Sequence, residues 1–442
     1  MLARSLATAA CLVAALAASA RAQVDLSRAQ LVPLKNGARL LLVPDSTAMG
    51  VEVSTWFDAG VRGDKPGLSG LTRLVQGLMA RSEAARQVAS EGGVAGSFTT
   101  SDLTCFYETL PPGSLERGIE IEATRMKSLA ATSADLEAER ARARAERRTG
   151  ADNGPGVHGL QRLYGLLYPG HPYTLPPSGS EADLARITLR QCQDDFKLRF
   201  SPERAAVAVV GRFDPAQAQT LARKWIEPLP RRSSGSPAAP ALAPMRERRA
   251  SEPLDFDLRI VFIGWRAPRE GDPDALALDL LGRVLSGGQS ARLPTQVVGA
   301  DRNLLFAQAG YDGRREAGLF YVFGALRPGV DSAAVEKDLV DRIGKLATEA
   351  VSPEELERAR RQAELATLLP WQTVHGRAMA IATADLVDGD FRGAWGRLDR
   401  LGQVGAADLQ RAAGRVLKAD ARAVVWLVPS RRAGAPGAGA GR

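Results

Sequence analysis

The chain has 442 residues, of which 45% are hydrophobic and 24% are charged. This length predicts two domains, and the ordinary composition excludes a disordered, collagen-like or disulfide-scaffold protein. The formal net charge is +8, but part of it belongs to arginines in segments 1–22 and 431–442. The charge therefore does not require nucleic acid, and we expect none as a partner. Only three histidines and three cysteines are present, which leaves few nitrogen and sulfur ligands for a metal.

The first 22 residues predict an export signal. An apolar stretch from Leu6 to Ala18 follows a positive charge and precedes a small-x-small cleavage site at Ala20-Arg21-Ala22, so the mature chain is expected to start at Gln23. The stretch is shorter than the roughly 20 residues that a membrane-spanning helix needs. We expect an exported protein, periplasmic or extracellular, without a transmembrane segment. In an oxidising compartment Cys105 and Cys192 either pair or stay buried as small hydrophobic residues.

Hydrophobic periodicity predicts a series of strands and helices in the first half of the chain. In Gly67–Arg81 the apolar residues recur at helical spacing and form one stripe, which is typical of a helix packed on a core. Asp214 followed by Pro215 is typical of a helix start, with an N-cap and a proline at the first helical position. The other predicted elements are strands at Arg39–Pro44, Val51–Ala59 and Ala205–Gly211, and helices at Ser114–Ala130, Ser133–Arg148 and Glu181–Phe200.

Residues 228–247 are rich in proline, serine, glycine and alanine, and this composition predicts a linker between two domains. The same kinds of element return after it, so the two halves predict a divergent repeat of one α+β unit. The predicted organisation is a signal peptide at 1–22, domains at 23–227 and 248–430, and a flexible tail at 431–442. The predicted elements of the second half are strands at Leu258–Trp265, Leu305–Tyr311, Leu319–Gly324 and Arg422–Pro429, and helices at Asp274–Leu285 and Ser352–Leu368.

Six segments with distinctive sequences are spread over nearly the whole mature chain. They are 34–45 (LKNGARLLLVPD), 59–79 (AGVRGDKPGLSGLTRLVQGLM), 92–107 (GGVAGSFTTSDLTCFY), 168–172 (YPGHP), 206–217 (AVAVVGRFDPAQ) and 285–293 (LSGGQSARL). Together they resemble the M16 family of zinc metallopeptidases, the group of pitrilysin, insulinase and mitochondrial processing peptidase. The resemblance implies an α+β fold of two homologous LuxS/MPP-like repeats. Each repeat is a mainly antiparallel sheet packed against helices, and the proline-rich linker joins the two into a clam shape.

Active members of this family carry H-x-x-E-H on the first long helix, where two imidazoles bind zinc and the glutamate accepts a proton from metal-bound water. The matching residues here are Arg73, Gln76 and Gly77. Arg73 is a permanent cation with donors only, Gln76 cannot take a proton near neutral pH, and Gly77 has no side chain. Glu146 falls where the resemblance implies the third zinc ligand. We therefore expect no catalytic residue and no zinc in this chain, with Glu146 as a remnant.

Active members also use an Arg/Tyr pair of the other repeat, which contacts the substrate. The resemblance carries the tyrosine onto Phe306, which keeps the ring and lacks the hydroxyl. It carries the arginine onto Val298 or Gly299, neither of which supplies a cation, and Arg302 is the alternative source of one. Phe306 is thus a weak candidate for substrate binding.

The resemblance further implies that an edge strand containing Gly96, Ser97 and Phe98 receives peptides by strand addition. Glycine stands at 96 where the family has asparagine, so a side-chain contact is lost while backbone pairing is retained. The histidines do not replace the lost ligands, because His158, His171 and His375 are widely separated and no two stand four residues apart. We expect structural roles for all three.

These observations predict an exported, catalytically inactive M16-like protein. The leading hypothesis is the non-catalytic subunit of a heterodimer, whose partner is an active zinc M16 peptidase and whose substrates are peptides or unfolded polypeptides. Zinc is then expected in the partner and no cofactor in this chain. The alternatives are a stand-alone structural or peptide-binding homodimer with the same fold and an active hydrolase that uses unrecognised residues. A neighbouring gene that encodes an M16 chain with an intact motif would favour the heterodimer.

Overall fold

The computed structural model describes residues 28–81, 86–232, 242, 244–254, 257–299 and 301–430. The predicted signal peptide and tail, and half of the predicted linker, lie outside these residues. The described residues form two sheets and a set of helices, which confirms the predicted α+β class. The strands are β1 Gln30–Pro33, β2 Arg39–Pro44, β3 Val51–Phe57, β4 Val94–Thr99, β5 Thr104–Leu110, β6 Ala205–Gly211, β7 Arg248–Leu254, β8 Ile260–Ala267, β9 Leu304–Gly313, β10 Gly318–Leu326 and β11 Arg422–Pro429.

The helices lie between the strands in clusters and do not alternate with them. They are α1 Leu71–Ala80, α2 Leu115–Lys127, α3 Ser133–Asn153, α4 Pro155–Leu167, α5 Glu181–Arg186, α6 Leu189–Arg199, α7 Pro215–Trp225, α8 Ala275–Ser286, α9 Arg292–Val297, α10 Ser332–Lys345, α11 Pro353–Leu368, α12 Val374–Asp388, α13 Gly393–Gln403 and α14 Ala406–Val416.

Contacts between residues divide the chain into two compact units. In the described part of the chain, unit 1 comprises residues 28–147, 175–232 and 364–399. Unit 2 comprises residues 148–174, 242–363 and 400–430, apart from the gaps named above. We call 148–174 and 364–399 the exchanged segments. Segment 148–174 comes from the first half of the sequence but packs with unit 2, and segment 364–399 comes from the second half but packs with unit 1.

Unit 1 is built on a six-stranded sheet with the order β1-β2-β6-β3-β5-β4. The β2–β6 pair is parallel and the other pairs are antiparallel. Every residue of β3 and β6 is buried, since helices cover both faces of the sheet. The helices α1, α2, α6 and α7 pack on one face, and α12 packs on the other, where Ile381 and Leu386 meet Leu41 and Val210.

Unit 2 is built on a five-stranded sheet with the order β7-β11-β8-β10-β9. The β7–β11 pair is parallel and the others are antiparallel. On one face α8, α10, α11 and α14 enclose an apolar core. On the other face α4 supplies Leu163 and Leu167 against Phe262 and Val425. The two units therefore share one plan, in which an exchanged helix covers the second face of each sheet.

The exchange differs from the predicted domains at 23–227 and 248–430, which are continuous in sequence. Each half of the sequence supplies its own sheet, but it does not supply the helix that covers the second apolar face of that sheet. The nearly unbroken apolar runs of β2 and β6 place apolar side chains on both faces of the sheet and require such a cover, and nothing in the pattern specifies which segment provides it. The repeat in the sequence thus predicts the two sheets, but it does not predict which helix packs on the second face of each sheet.

Most predicted elements are confirmed, several with the expected end signals. The Asp214 carboxylate accepts from the Gln217 amide at the start of α7, and Ser352 and Glu355 cap α11 reciprocally. The predicted helix Glu181–Phe200 is instead two helices, because the Thr188 side chain caps α6 and interrupts the first helix.

Both described cysteines are unpaired. Cys105 lies in the core between the sheet of unit 1 and α12, and Cys192 lies in the core on the opposite face. Of the two alternatives that the sequence left open, the structure shows two buried thiols. Burial raises the pKa of both, to about 12 for Cys192.

Candidate functional site

The helix that carries the degenerate motif, α1, is fixed at its N-terminus by a buried carboxylate. Gly70 has a φ of 92° and leads into the helix, and its amide donates to Asp64 at 2.9 Å. The Thr72 amide donates to the same carboxylate at 3.1 Å, and Arg199 donates to it at 3.0 Å. Burial raises the pKa of Asp64 to about 6, so at neutral pH the group is ionised and pairs with Arg199. The first turn of α1 is therefore held to unit 1 by hydrogen bonds and charge.

Arg73, at the first motif position, forms a two-point ion pair with Glu146 of α3. Its Nε donates to one carboxylate oxygen at 2.9 Å and its Nη2 to the other at 2.6 Å. Burial favours protonation of Glu146, but the hydrogen bonds and charges of Arg73 and, to a smaller extent, Arg142 outweigh it and lower the pKa of that carboxyl. The sequence predicted that Glu146 lies near the motif, and the structure places it there, with Arg73 as its counter-ion.

A second glutamate, Glu139, lies beside the same guanidinium. Its Oε2 is 3.7 Å from Nη1 of Arg73, and its Oε1 accepts from Arg81 at 3.2 Å. The Glu139 side chain is 2% exposed, against 41% for Glu146. Sequence reasoning missed Glu139. The signal was its spacing of seven residues from Glu146, which places both carboxylates on one face of α3.

The other two motif positions are also closed to metal chemistry. A Cβ built at Gly77 would collide with the Glu139 carboxylate and lie 2.8 Å from Arg73 Nη1, so the ion cluster fills the space of a side chain there. The Gln76 amide donates to the Ser97 hydroxyl of β4 at 2.6 Å. Gln76 thus joins α1 to the edge of the sheet and has no ionisable group to act as a base.

The residues at this site do not fit zinc. A guanidinium has five donors and no acceptor, so Arg73 cannot ligate a cation and instead neutralises the carboxylate that would do so. Glu139 and Glu146 are both engaged with arginines. Within the described part of the chain, no three His, Cys, Asp or Glu side chains are grouped so that they could hold a metal ion.

The strand beside the motif helix, β4, forms one edge of its sheet. Gly96 lies opposite Tyr107 of β5, and a Cβ at Gly96 would collide with the Tyr107 hydroxyl. Phe98 packs edge-to-face on Trp56 with ring centroids 5.7 Å apart. The structure therefore places Gly96, Ser97 and Phe98 on an edge strand next to α1, and Ser97 contacts the motif directly through Gln76.

The candidates of the second half lie in unit 2. Phe306 is 40% exposed on the edge strand β9 and packs edge-to-face on Phe323 at 5.9 Å. Val298 forms an isolated bridge to Leu304, the first residue of that strand. The amide of Arg302 donates to the Gly299 carbonyl in a turn, and its side chain is exposed. The residues at 298, 299 and 306 supply neither a cation nor a hydroxyl.

These features define a class: an M16-type fold whose motif helix holds an arginine–carboxylate cluster at the positions of the zinc ligands and the base. The family profile described as Peptidase M16 inactive domain matches residues 186–363. With this match and the relatives described next, the recognition made from the sequence is confirmed. The chain is similar to M16 peptidases over almost its whole length and lacks their H-x-x-E-H motif.

Similar proteins span almost the whole chain. The zinc protease PqqE of Helicobacter pylori is 26% identical over 432 residues, which are 95% of this chain and 97% of that protein. The uncharacterized zinc protease YmxG of Bacillus subtilis is 21% identical over 411 residues, 90% and 97% of the two chains. A crystal structure of a protease from Helicobacter pylori superposes with a TM-score of 0.83 at 25% identity and covers 91% of this chain and 99% of that one.

A second solved structure, an M16 inactive domain from Pseudomonas fluorescens, has a TM-score of 0.80 at 18% identity and covers 91% of this chain and 98% of that one. This likeness concerns the fold.

None of the helices among the described residues is both long and apolar enough to cross a membrane.

Proposed function

We propose that this protein is the exported, non-catalytic subunit of an M16 peptidase pair. In this proposal an active zinc-binding M16 chain performs the hydrolysis. The present chain associates with it and holds peptides or unfolded polypeptides in an extended form. Zinc belongs to the partner, and this chain needs no cofactor.

The observation that carries the proposal is the ion pair between Arg73 and Glu146. Loss of a ligand alone would leave a carboxylate free for another metal arrangement. Here a guanidinium takes both oxygens of Glu146 at 2.6 and 2.9 Å, and Gly77 leaves room for the cluster. The Glu146 carboxylate thus has its counter-ion within this chain and needs no metal cation to balance its charge.

A peptide-holding role is supported by the edge strand β4. Edge strands expose unpaired backbone donors and acceptors that add an extended chain as a further strand. The sequence of β4, VAGSFT, has no charged residue or proline that would block such addition, and Val94 is 65% exposed. The opposite edge of the same sheet, β1, is only four residues long and ends in Pro33.

The pairing is tested by searching the neighbouring genes for an M16 chain with an intact motif and co-expressing it with this protein. We expect the two to co-purify as a heterodimer, with zinc in the neighbour only and peptide cleavage higher for the pair than for either chain alone. A stable homodimer of this chain that does not bind the neighbour would overturn the pairing. Export is tested by N-terminal sequencing of the secreted or periplasmic form, which is expected to begin at Gln23.

The peptide-holding role has its own test, with a fluorescein-labelled extended peptide and fluorescence anisotropy. A charge placed on an edge strand opposes strand addition, so Val94→Lys is expected to weaken binding at least several-fold. Met49→Lys is the matched control, because Met49 is 91% exposed and lies outside β4. Equal binding by both variants and the wild type would exclude β4 as the peptide site while leaving the pairing untouched.

A further inference from the structure

All three histidines of the chain lie in the exchanged segments, and each contacts a glutamate of the unit that receives the segment. In unit 1, His375 Nδ1 is 3.1 Å from both carboxylate oxygens of Glu52. In unit 2, His158 Nε2 is 2.8 Å from Glu252 Oε2. There, too, His171 Nε2 is 3.2 Å from Glu316 Oε2. The carboxylates come from elements outside the exchanged segments, so each pair joins a segment to its receiving unit.

The contact at α12 has the most deeply buried carboxylate of the three. Glu52 lies on β3 with a fully buried side chain, and the Thr109 hydroxyl of β5 donates to its Oε2 at 3.1 Å. The His375 ring is half-buried and lies 4.2 Å from the Tyr107 ring, centroid to centroid. A carboxylate in such a site needs a positive partner, because an ionised group is poorly solvated there.

Two further ion pairs hold the same helix to the sheet of unit 1. Arg377 donates to Asp45 at 2.7 Å, and both side chains are buried. The Asp385 carboxylate forms an ion pair with Arg39, with Oδ2 2.9 Å from Nε, near the other end of the helix. Neither arginine changes charge in the physiological range, so His375 is the member of this set whose positive charge depends on pH between about 5 and 8.

The helix that carries His375 packs on β2, β3, β5 and β6, and β2 contributes Arg39, which is paired with Asp385. β3 contributes Glu52, and β5 contributes Tyr107 and Cys105, whose pKa values are both raised by burial and which are therefore neutral. β6 and the 3-10 turn Leu369–Gln372 contain no titratable residue. Within the helix, Arg377 and Asp385 are engaged with Asp45 and Arg39 as described.

We infer that the exchanged segment 364–399 is held in place by a pH-dependent histidine–glutamate latch, formed by His375 of α12 and Glu52 of β3. The protonated imidazole neutralises the buried Glu52 carboxylate, and this ion pair holds the first turn of the helix against β3. When His375 loses its proton, Glu52 loses its counter-ion and the helix docks less tightly. The latch is independent of catalysis and of the proposed pairing.

The direction of the effect follows from the pKa of His375. The hydrogen bond and the charge of Glu52 raise it above the ordinary value of 6.5, against a smaller opposing effect of burial. A raised pKa means that the docked helix binds the proton more tightly than the undocked helix. The stabilisation is therefore complete below pH 6.5 and disappears as the pH rises through the pKa of the docked form.

The pKa of His375 can be measured by imidazole NMR of the labelled full chain. Because the chain has three histidines, the spectrum should show three sets of signals. We expect the His375 pKa to lie above 6.5. Hydrogen exchange is followed in parallel over residues 374–388 at pH 6 and pH 9, with intrinsic rates corrected. From pH 6 to pH 9, the protection of these backbone amides against exchange should fall tenfold for each unit by which docking raises the pKa of His375.

Three variants separate this latch from general alkaline destabilisation. His375→Gln is expected to abolish the pH dependence of protection in α12, and Glu52→Gln to lower the pKa of His375. His158→Gln is the matched control in the other segment and should leave α12 unchanged. An His375 pKa at or below 6.5, or an α12 whose pH dependence survives His375→Gln, would overturn the inference. If His375→Gln does not fold, the pKa measured in the wild type and in Glu52→Gln decides the question.

Discussion

Removal of the cation at the degenerate motif tests the physical basis of the site. In Arg73→Met the bidentate pair to Glu146 is lost, and Glu139 keeps only its contact with Arg81. Removing one partner of a buried pair costs about 3–5 kcal/mol. Glu146 is 41% exposed and can regain water, whereas Glu139 is 2% exposed and cannot, so we expect about 3 kcal/mol. In a unit of this size this corresponds to a loss of roughly 6–12 °C in Tm.

Thermal unfolding followed by circular dichroism at pH 7.5 measures this loss. Arg81→Met is the matched control, because that arginine is 41% exposed and its pair to Glu139 is expected to contribute at most about 1 kcal/mol. Combining Arg73→Met with Glu139→Gln and Glu146→Gln removes the stranded charges and should recover most of the loss. If Arg73→Met is no less stable than Arg81→Met, or if the combined variant recovers nothing, the cluster does not stabilise the motif helix.

Two further predictions concern the metal and the thiols. Gln76→Glu alone should bind no zinc, and Arg73→His with Gln76→Glu and Gly77→His should bind it only weakly, because an imidazole at 77 must displace a buried glutamate; isothermal titration with zinc measures both, and tight binding by the single variant would refute the reasoning. Cys105 and Cys192 should resist a thiol reagent in the native protein and react fully in denaturant, since both are buried with raised pKa values. Rapid reaction of either thiol in the native state would contradict the packing described.

The fold could be predicted where one segment carries its own signals. The periodicity of α1, the strands β2, β6 and β11 and the cap at Asp214 are all local features, and the structure confirms them. The exchange of α4 and α12 could not be predicted in this way. An apolar helix face fits either sheet equally well in composition, and only the three-dimensional path of the chain decides which sheet it covers.

The candidate site, too, could be predicted only in part from the sequence. The chemical loss at Arg73, Gln76 and Gly77 follows from residue types alone, and Glu146 was expected nearby. The ion pair that Arg73 forms with Glu146, the second carboxylate of Glu139 and the tight space at Gly77 depend on how α1 and α3 pack. A sequence can show that a ligand is missing, but the structure shows what has taken its place.

The central claim is that this chain carries no zinc and performs no peptide hydrolysis by itself. The most direct measurement is the zinc content of the purified full chain by mass spectrometry, together with cleavage of an unstructured peptide by the same sample. We expect substoichiometric zinc and no cleavage, unchanged by a chelator. One zinc per chain, with cleavage that the chelator abolishes, would contradict it.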